Sequence, residues 1–270
     1  MWGDKGEGPG KLNAPVAFAT DTQGKLYFAD PGGGFIHKFE SNGTPLLSFE
    51  DSRLLHASGI AVDSGGGIYV ADAARGSILI FFPEGDFLRA IRVAPQPHFS
   101  GVIGIGIDGQ GNAYVPDALD SRIIKFDQRG RLIKSWKVPQ SIPSEADKPS
   151  FVTTGADDSI FVAYAKTARI EKYSPEGMLV SSWKMPGTDT VNPGSTITGI
   201  AVTDRFVFTA SSAAPRIRVW TLEGQLKLAD DLGGRLGDAS TLQIAVTPRG
   251  ELLVFDPSAI RVFQFQTHLQ

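Results

Sequence analysis

Four aspartates at one point of a repeated pattern are the residues of this chain best placed to do chemistry. Asp30, Asp72, Asp117 and Asp256 each end a short run of aliphatic and aromatic residues. Carboxylates gathered around one opening can hold a divalent cation such as Ca²⁺, which prefers clustered oxygen ligands. An aspartate in a turn can instead accept backbone N–H bonds. Because these aspartates recur with the repeat, we expect them to cap turns and we expect no cofactor, with a divalent cation as the alternative.

Histidine is the second candidate for chemistry. His56 and His98 both lie just before a predicted strand, in adjacent repeats. Two histidines can bind a metal or serve as acid and base, but two alone make an incomplete site, and we interpret them as loop residues open to a ligand. The chain has no cysteine, which excludes disulfides, thiolate metal sites and cysteine nucleophiles. No catalytic residue is predicted.

The elements that position these residues repeat along the chain. A residue that closes a short β pattern recurs at steps of 42, 45, 47, 47 and 43 residues, at Phe39, Phe81, Phe126, Tyr173, Trp220 and Phe263. A glycine follows four residues after each of the first five. A period of this size built from four short strands, here named A to D, is typical of propeller blades. The sequence therefore predicts an all-β protein, a six-bladed β-propeller of four-stranded antiparallel blades.

The predicted blades form a single domain over residues 1–270. Their approximate bounds are 14–49, 57–92, 102–137, 149–184, 197–230 and 241–265. Residues 1–3 read as the tail of a strand D, and we expect them beside residues 260–265, where they would close the last blade and cover an open sheet edge. Because the chain starts in the middle of a motif, we expect an upstream signal or domain and a secreted or periplasmic location, with a cytoplasmic one left open.

The repeat unit resembles a known family. Gly59-Ile60-Ala61-Val62-Asp63, Ile68-Tyr69-Val70-Ala71-Asp72 and Ser121-Arg122-Ile123-Ile124-Lys125-Phe126 are similar to the NHL repeat of bacterial-type six-bladed β-propellers. Later units depart from it, since Thr203 and Thr247 replace the aspartate that follows strand A. The resemblance implies a six-bladed disc whose loops bind a ligand.

Charge and composition narrow the expected partners. The net charge is −3, and no apolar run approaches the length of a membrane helix. Neither nucleic acid nor a membrane span is therefore expected. We expect a monomeric, non-catalytic recognition or scaffold module that binds a protein, peptide or glycan. Its predicted loop face carries the B–C and D–A loops, with these candidate contacts: Arg75, Asp120, Arg122, Lys166, His56 and His98.

An enzyme is the alternative reading. Some propellers of the lactonase, lyase or hydrolase type hold a metal in the central channel. A ring of carboxylate or asparagine ligands at the starts of the A strands would mark such a site, and none is visible in this sequence. The recognition module is therefore preferred.

Overall fold

The computed structural model describes residues 5–6, 8–93, 104–139, 148–186, 196–214, 216–231 and 241–266. Over these residues the chain forms 23 strands and one short 3-10 helix, Ser52–His56. The strands make six antiparallel sheets of four, four, four, four, four and three strands. The prediction of an all-β, six-bladed propeller is confirmed. No helix among the described residues is long and apolar enough to cross a membrane.

Each blade is built from strands that are consecutive in the chain and in the sheet. Blade 1 contains β1 (Ala17–Thr20), β2 (Leu26–Asp30), β3 (Phe35–Phe39) and β4 (Pro45–Glu50). Blade 2 contains β5 (Ala57–Val62), β6 (Ile68–Asp72), β7 (Ser77–Phe81) and β8 (Phe87–Arg92). Blade 3 contains β9 (Gly106–Ile107), β10 (Ala113–Asp117), β11 (Arg122–Phe126) and β12 (Leu132–Lys137).

The second half of the ring follows the same order. Blade 4 contains β13 (Phe151–Thr154), β14 (Ile160–Tyr164), β15 (Arg169–Tyr173) and β16 (Leu179–Lys184). Blade 5 contains β17 (Ile197–Val202), β18 (Phe206–Ser211), β19 (Ile217–Thr221) and β20 (Leu226–Asp230). Blade 6 contains β21 (Gln243–Val246), β22 (Leu252–Asp256) and β23 (Arg261–Phe265). Residues 1–3, predicted to close blade 6, lie outside the described residues.

The hydrophobic core consists of layers between neighbouring blades. One layer joins Ala29 and Ile36 of blade 1 to Val70 and Phe81 of blade 2, and similar layers follow around the ring. The recurring aromatic contributes to the layer shared with the preceding blade. Since neither face of such a sheet meets water, the B strands read as nearly continuous apolar runs, and β2, β6, β10, β14 and β22 are buried throughout.

Cross-strand register corrects one member of the aromatic series. Phe39 pairs with Leu26, the first residue of strand B. In blade 6 the first residue of strand B, Leu252, pairs with Phe265, whereas Phe263 pairs with Val254. Phe265 is thus the residue of blade 6 that is equivalent to Phe39. The prediction of Phe263 was wrong by two residues, which is one period of a strand. Side chains two apart share a face of a strand, so the sequence could not separate the two phenylalanines.

The glycine of the C–D turn is explained by contact between blades. Gly224 has φ +89°, and a Cβ built on it would lie 2.5 Å from Cδ2 of Trp183 in strand D of the preceding blade. Gly177 is placed in the same way, with φ +80° and 2.7 Å to Trp136. A side chain at either position would meet both a left-handed backbone and an indole ring. This contact requires a glycine four residues after the recurring aromatic.

Candidate binding site

A central channel runs through the described part of the disc. The A strands of all six blades surround it, and its volume is about 810 Å³. Small residues such as Ala17, Gly104 and Thr198 line it, so little side-chain volume fills the middle of the disc. This volume lies within the usual range for small-molecule sites, roughly 300–1,000 Å³.

One mouth of the channel is formed by the turns that join strands A and B. Blades 1, 4, 5 and 6 contribute to it, and Thr22, Ala156, Asp204 and Arg249 are among the residues they supply. Only three of the described lining residues are charged, namely Asp21, Asp204 and Arg249. The lining therefore favours a ligand that is polar and carries little net charge.

Hydroxyl groups supply most of the side-chain polarity of the channel wall. Thr20 Oγ1 donates to the carbonyl of Val246 at 2.8 Å, and Thr154 Oγ1 donates to that of Ile107 at 2.6 Å. Both bonds connect A strands of adjacent blades. Thr198 Oγ1 is buried and has no hydrogen-bond partner among the described residues. Its hydroxyl is thus an unsatisfied polar group within the wall.

The aspartate after strand A serves the turn and not the channel. Asp63 accepts from the N–H groups of Gly65 and Gly67 at 2.9 and 2.8 Å. Burial and the neighbouring Asp63 carboxylate raise the pKa of Tyr69 to about 12. Asp21, which lines the channel, has the same role: it accepts from the Gln23 and Lys25 N–H groups. Its carboxylate is already committed to the fold.

The opposite, predicted loop face carries aspartates that are engaged within their own blades. Asp72 accepts from the Arg75 N–H at 3.0 Å and from its guanidinium at 2.8 Å. Asp117 accepts from the Asp120 N–H at 3.2 Å and from Arg122 Nε at 2.8 Å. The expectation that the aspartates cap their own turns is confirmed for Asp72, Asp117 and Asp256. Their placement shows that Arg75 and Arg122 support the B–C loops. The expectation is wrong for Asp30, which accepts from the N–H groups of Asn13 and Ala14 ahead of strand A.

The predicted contact residues are only partly brought together. Asp120 and Arg122 form an ion pair at 3.2 Å. Lys166 and His56 are exposed on separate blades, and His98 lies outside the described residues. None of the described candidates lines the channel. That they contact a ligand stays a prediction.

A buried polar network in blade 4 was missed by the sequence reasoning. Glu171 is 1% exposed, and its Oε2 accepts from the hydroxyls of Tyr164 and Tyr173 at 2.6 Å each. Its other oxygen accepts from Arg169, whose guanidinium also donates to the carbonyl of Pro139 at 2.9 Å. One signal of this network was available in the sequence: Glu171 places a carboxylate at the position where blade 2 has Leu79. The network ties blade 4 to the chain that leaves blade 3.

Metal ligation finds little support in the described ranges. They contain no group of three or more histidine, aspartate or glutamate side chains placed to hold one ion. Only two carboxylates, those of Asp21 and Asp204, are among the described residues of the channel wall. The channel wall, as described, combines threonine hydroxyls with backbone and small or apolar side chains.

A ring of six such blades around a channel defines the chain as a six-bladed β-propeller. Residues 54–81 match the model of the NHL repeat, and they cover the first three strands of blade 2. The resemblance read from the sequence is confirmed: the chain is a six-bladed β-propeller, and one segment of it matches the NHL repeat. No curated protein matches the chain significantly.

Several solved structures share the fold. A streptogramin B lyase is 18% identical, with a TM-score of 0.68 over 95% of this chain and 84% of the other. Virginiamycin B lyase from Staphylococcus aureus is 16% identical, with a TM-score of 0.65 over 95% and 85%. The Pan2 WD40 domain of Neurospora crassa is 15% identical, with a TM-score of 0.61 over 95% and 80%. At these identities the likeness shows the fold alone.

Proposed function

We propose that this protein is a non-catalytic recognition module that binds an exposed part of a protein, peptide or glycan. The observation that carries the proposal is the central channel, whose wall offers hydroxyls, backbone and few charges. Rigid blades hold this wall in place, and loops positioned by a rigid scaffold are common binding sites. We place the contact at the mouth formed by the A–B turns, with Asp204 and Arg249 as its charged groups.

Arrays of peptides and glycans probed with the labelled protein test the proposal. We expect a subset of related probes to bind, and titration calorimetry to confirm the best of them. Asp204→Ala and Arg249→Ala should each weaken that binding about tenfold, because a hydrogen bond to a charged group contributes roughly 1.5–3 kcal/mol. Arg75→Ala and Lys166→Ala, on the loop face, are the matched controls.

The controls decide where the site is. If Lys166→Ala weakens binding and Arg249→Ala does not, the ligand contacts the loop face first predicted from the sequence. If no peptide or glycan binds, the recognition proposal fails.

A lyase is the second candidate, and two structural neighbours favour it. Both are named as lyases that act on streptogramin B or virginiamycin B. We expect virginiamycin B incubated with this protein, with and without added Mg²⁺, to remain intact by mass spectrometry. Conversion to a product would overturn the non-catalytic proposal.

A further inference from the structure

Blade 1 lacks an arginine that recurs in other blades. Four residues before the recurring aromatic, four blades carry an arginine: Arg122, Arg169, Arg216 and Arg261. In blade 3 this residue, Arg122, donates from Nε to the buried Asp117 at 2.8 Å. In blade 1 the same position is Phe35, so the equivalent aspartate, Asp30, has no arginine beside it.

Asp30 is nevertheless buried and ionisable. It is 1% exposed, and its two oxygens accept from the N–H groups of Ala14 at 3.0 Å and Asn13 at 2.6 Å. Among the described residues, His37 is the one side chain within 4.0 Å of the Asp30 carboxylate that could carry a positive charge. Its Nε2 lies 4.0 Å from Asp30 Oδ2. Burial lowers the pKa of His37, so the ring is neutral near pH 7. Among the described residues, no charged side chain therefore lies within 4.0 Å of the Asp30 carboxylate.

A second cavity opens at this place. Its volume is about 260 Å³, and it shares no lining residue with the central channel. The described residues that line it are Gly6, Gly8, Lys11, Asn13, Asp30, Gly32, Gly33, Phe35 and His37. Four of these are glycines, which leave open the space that side chains would otherwise fill.

The polar groups of this blade 1 pocket point to a specific kind of ligand. His37 is 1% exposed, and its Nδ1 is hydrogen-bonded to Ser48 Oγ at 2.8 Å. Its Nε2, too far from Asp30 for a hydrogen bond, is available to a ligand. Phe35 stacks on the His37 ring at 5.3 Å and presents an aromatic face to a cation. Lys11 adds a positive charge at the exposed rim.

We propose that the blade 1 pocket binds an arginine-like ligand whose guanidinium takes the place that Arg122 occupies in blade 3. The guanidinium pairs with Asp30 and lies against Phe35, while the α-carboxylate of the ligand pairs with Lys11. Free arginine and the C-terminal arginine of a peptide share this chemistry. The site is separate from the channel and does not depend on the proposed function.

The ring signals of His37 in nitrogen–proton NMR spectra of the intact protein give a direct readout. We expect L-arginine to shift them saturably at millimolar concentration. L-citrulline, which has the same shape without the charge, should bind at least tenfold more weakly, and so should agmatine, which lacks the carboxylate. The tripeptide Gly-Gly-Arg separates the two sources: equal binding indicates a peptide terminus, and weaker binding indicates the free amino acid. Equal binding of citrulline and arginine would overturn the proposal.

Two variants locate the response. Phe35→Arg restores the arginine of the repeat, and we expect it to fill the pocket and abolish the arginine-induced shift. Ser77→Arg, which introduces an arginine at the same position of blade 2, is the matched control and should leave the shift unchanged. Asp30→Asn should weaken arginine binding at least tenfold, and it keeps the proposal testable if Phe35→Arg does not fold. An arginine-induced shift that survives in folded Phe35→Arg or in Asp30→Asn places the ligand elsewhere.

Discussion

Replacing Gly224 by alanine tests the idea that C–D turn glycines hold neighbouring blades together. The backbone of Gly224 has φ +89°, and a left-handed conformation costs an L-residue roughly 1–2 kcal/mol. The new Cβ would also lie 2.5 Å from Trp183 Cδ2, and overpacking of this kind typically costs about 1–3 kcal/mol. We therefore expect Gly224→Ala to lower the free energy of unfolding by about 2–5 kcal/mol.

Gly250→Ala is the matched control, because it carries the backbone cost without the contact between blades. Gly250 has φ +79°, and a Cβ there would meet nothing within 4 Å. Its expected loss is therefore only about 1–2 kcal/mol. Urea denaturation followed by tryptophan fluorescence and circular dichroism measures both variants.

A double-mutant cycle identifies the source of the difference. Trp183→Leu makes room beside residue 224, so the alanine should cost less in that background, with a coupling energy of about 0.5–3 kcal/mol. Equal losses for Gly224→Ala and Gly250→Ala, or a cycle without coupling, would refute the packing argument.

Three further substitutions test other parts of the fold. Glu171→Gln should lower the free energy of unfolding by about 3–5 kcal/mol, because it leaves the buried Arg169 without its charged partner; thermal unfolding measures this. Arg122→Ala should cost only about 1 kcal/mol in the same assay, since the arginine side chain is 29% exposed although Asp117 is buried. Tyr69→Phe should reduce the loss of stability at alkaline pH. The folded-state pKa of Tyr69 is raised to about 12, so its contribution is complete below pH ~10 and is lost as the pH rises towards 12.

Two of these substitutions have a control elsewhere in the chain. Glu176→Gln changes an exposed glutamate whose side chain accepts a hydrogen bond from Ser174, and its effect should stay within about 0.5 kcal/mol. Arg129→Ala removes an exposed arginine of the turn after Asp127 and should be nearly neutral. The tyrosine prediction fails if wild type and Tyr69→Phe lose stability in parallel between pH 10 and 12.

The repeated elements of the fold could be predicted from the sequence because each blade uses the same local chemistry. Contacts within one blade and with its neighbour define the roles of Asp63, Tyr69 and the recurring aromatic Phe81. Their spacing therefore recurs and can be counted along the chain. Two aspartates that end B strands were interpreted correctly for the same reason, since Asp72 and Asp117 cap turns in their own blades. Asp30 departs from this pattern because it bonds to the segment ahead of strand A.

The candidate sites depended on contacts that no local pattern reports. The B–C loop residues were predicted as ligand contacts, yet Arg75 and Arg122 pair with aspartates of their own blades. The channel wall comes from one short strand of each blade, and its Thr198 looks like any other strand residue in the sequence.

The sequence alone determined the repeat, the strand order and the recurring turn glycines and aspartates, because these follow from short-range geometry. Only the tertiary structure decided which charges are already neutralised and which are not. Asp30 and Asp117 occupy the same place in their repeats. Asp117 faces an arginine, whereas Asp30 faces a cavity. That difference arises where the B–C loop of blade 1, its strand C and the segment around Lys11 meet. It therefore depends on side chains that are far apart in the chain.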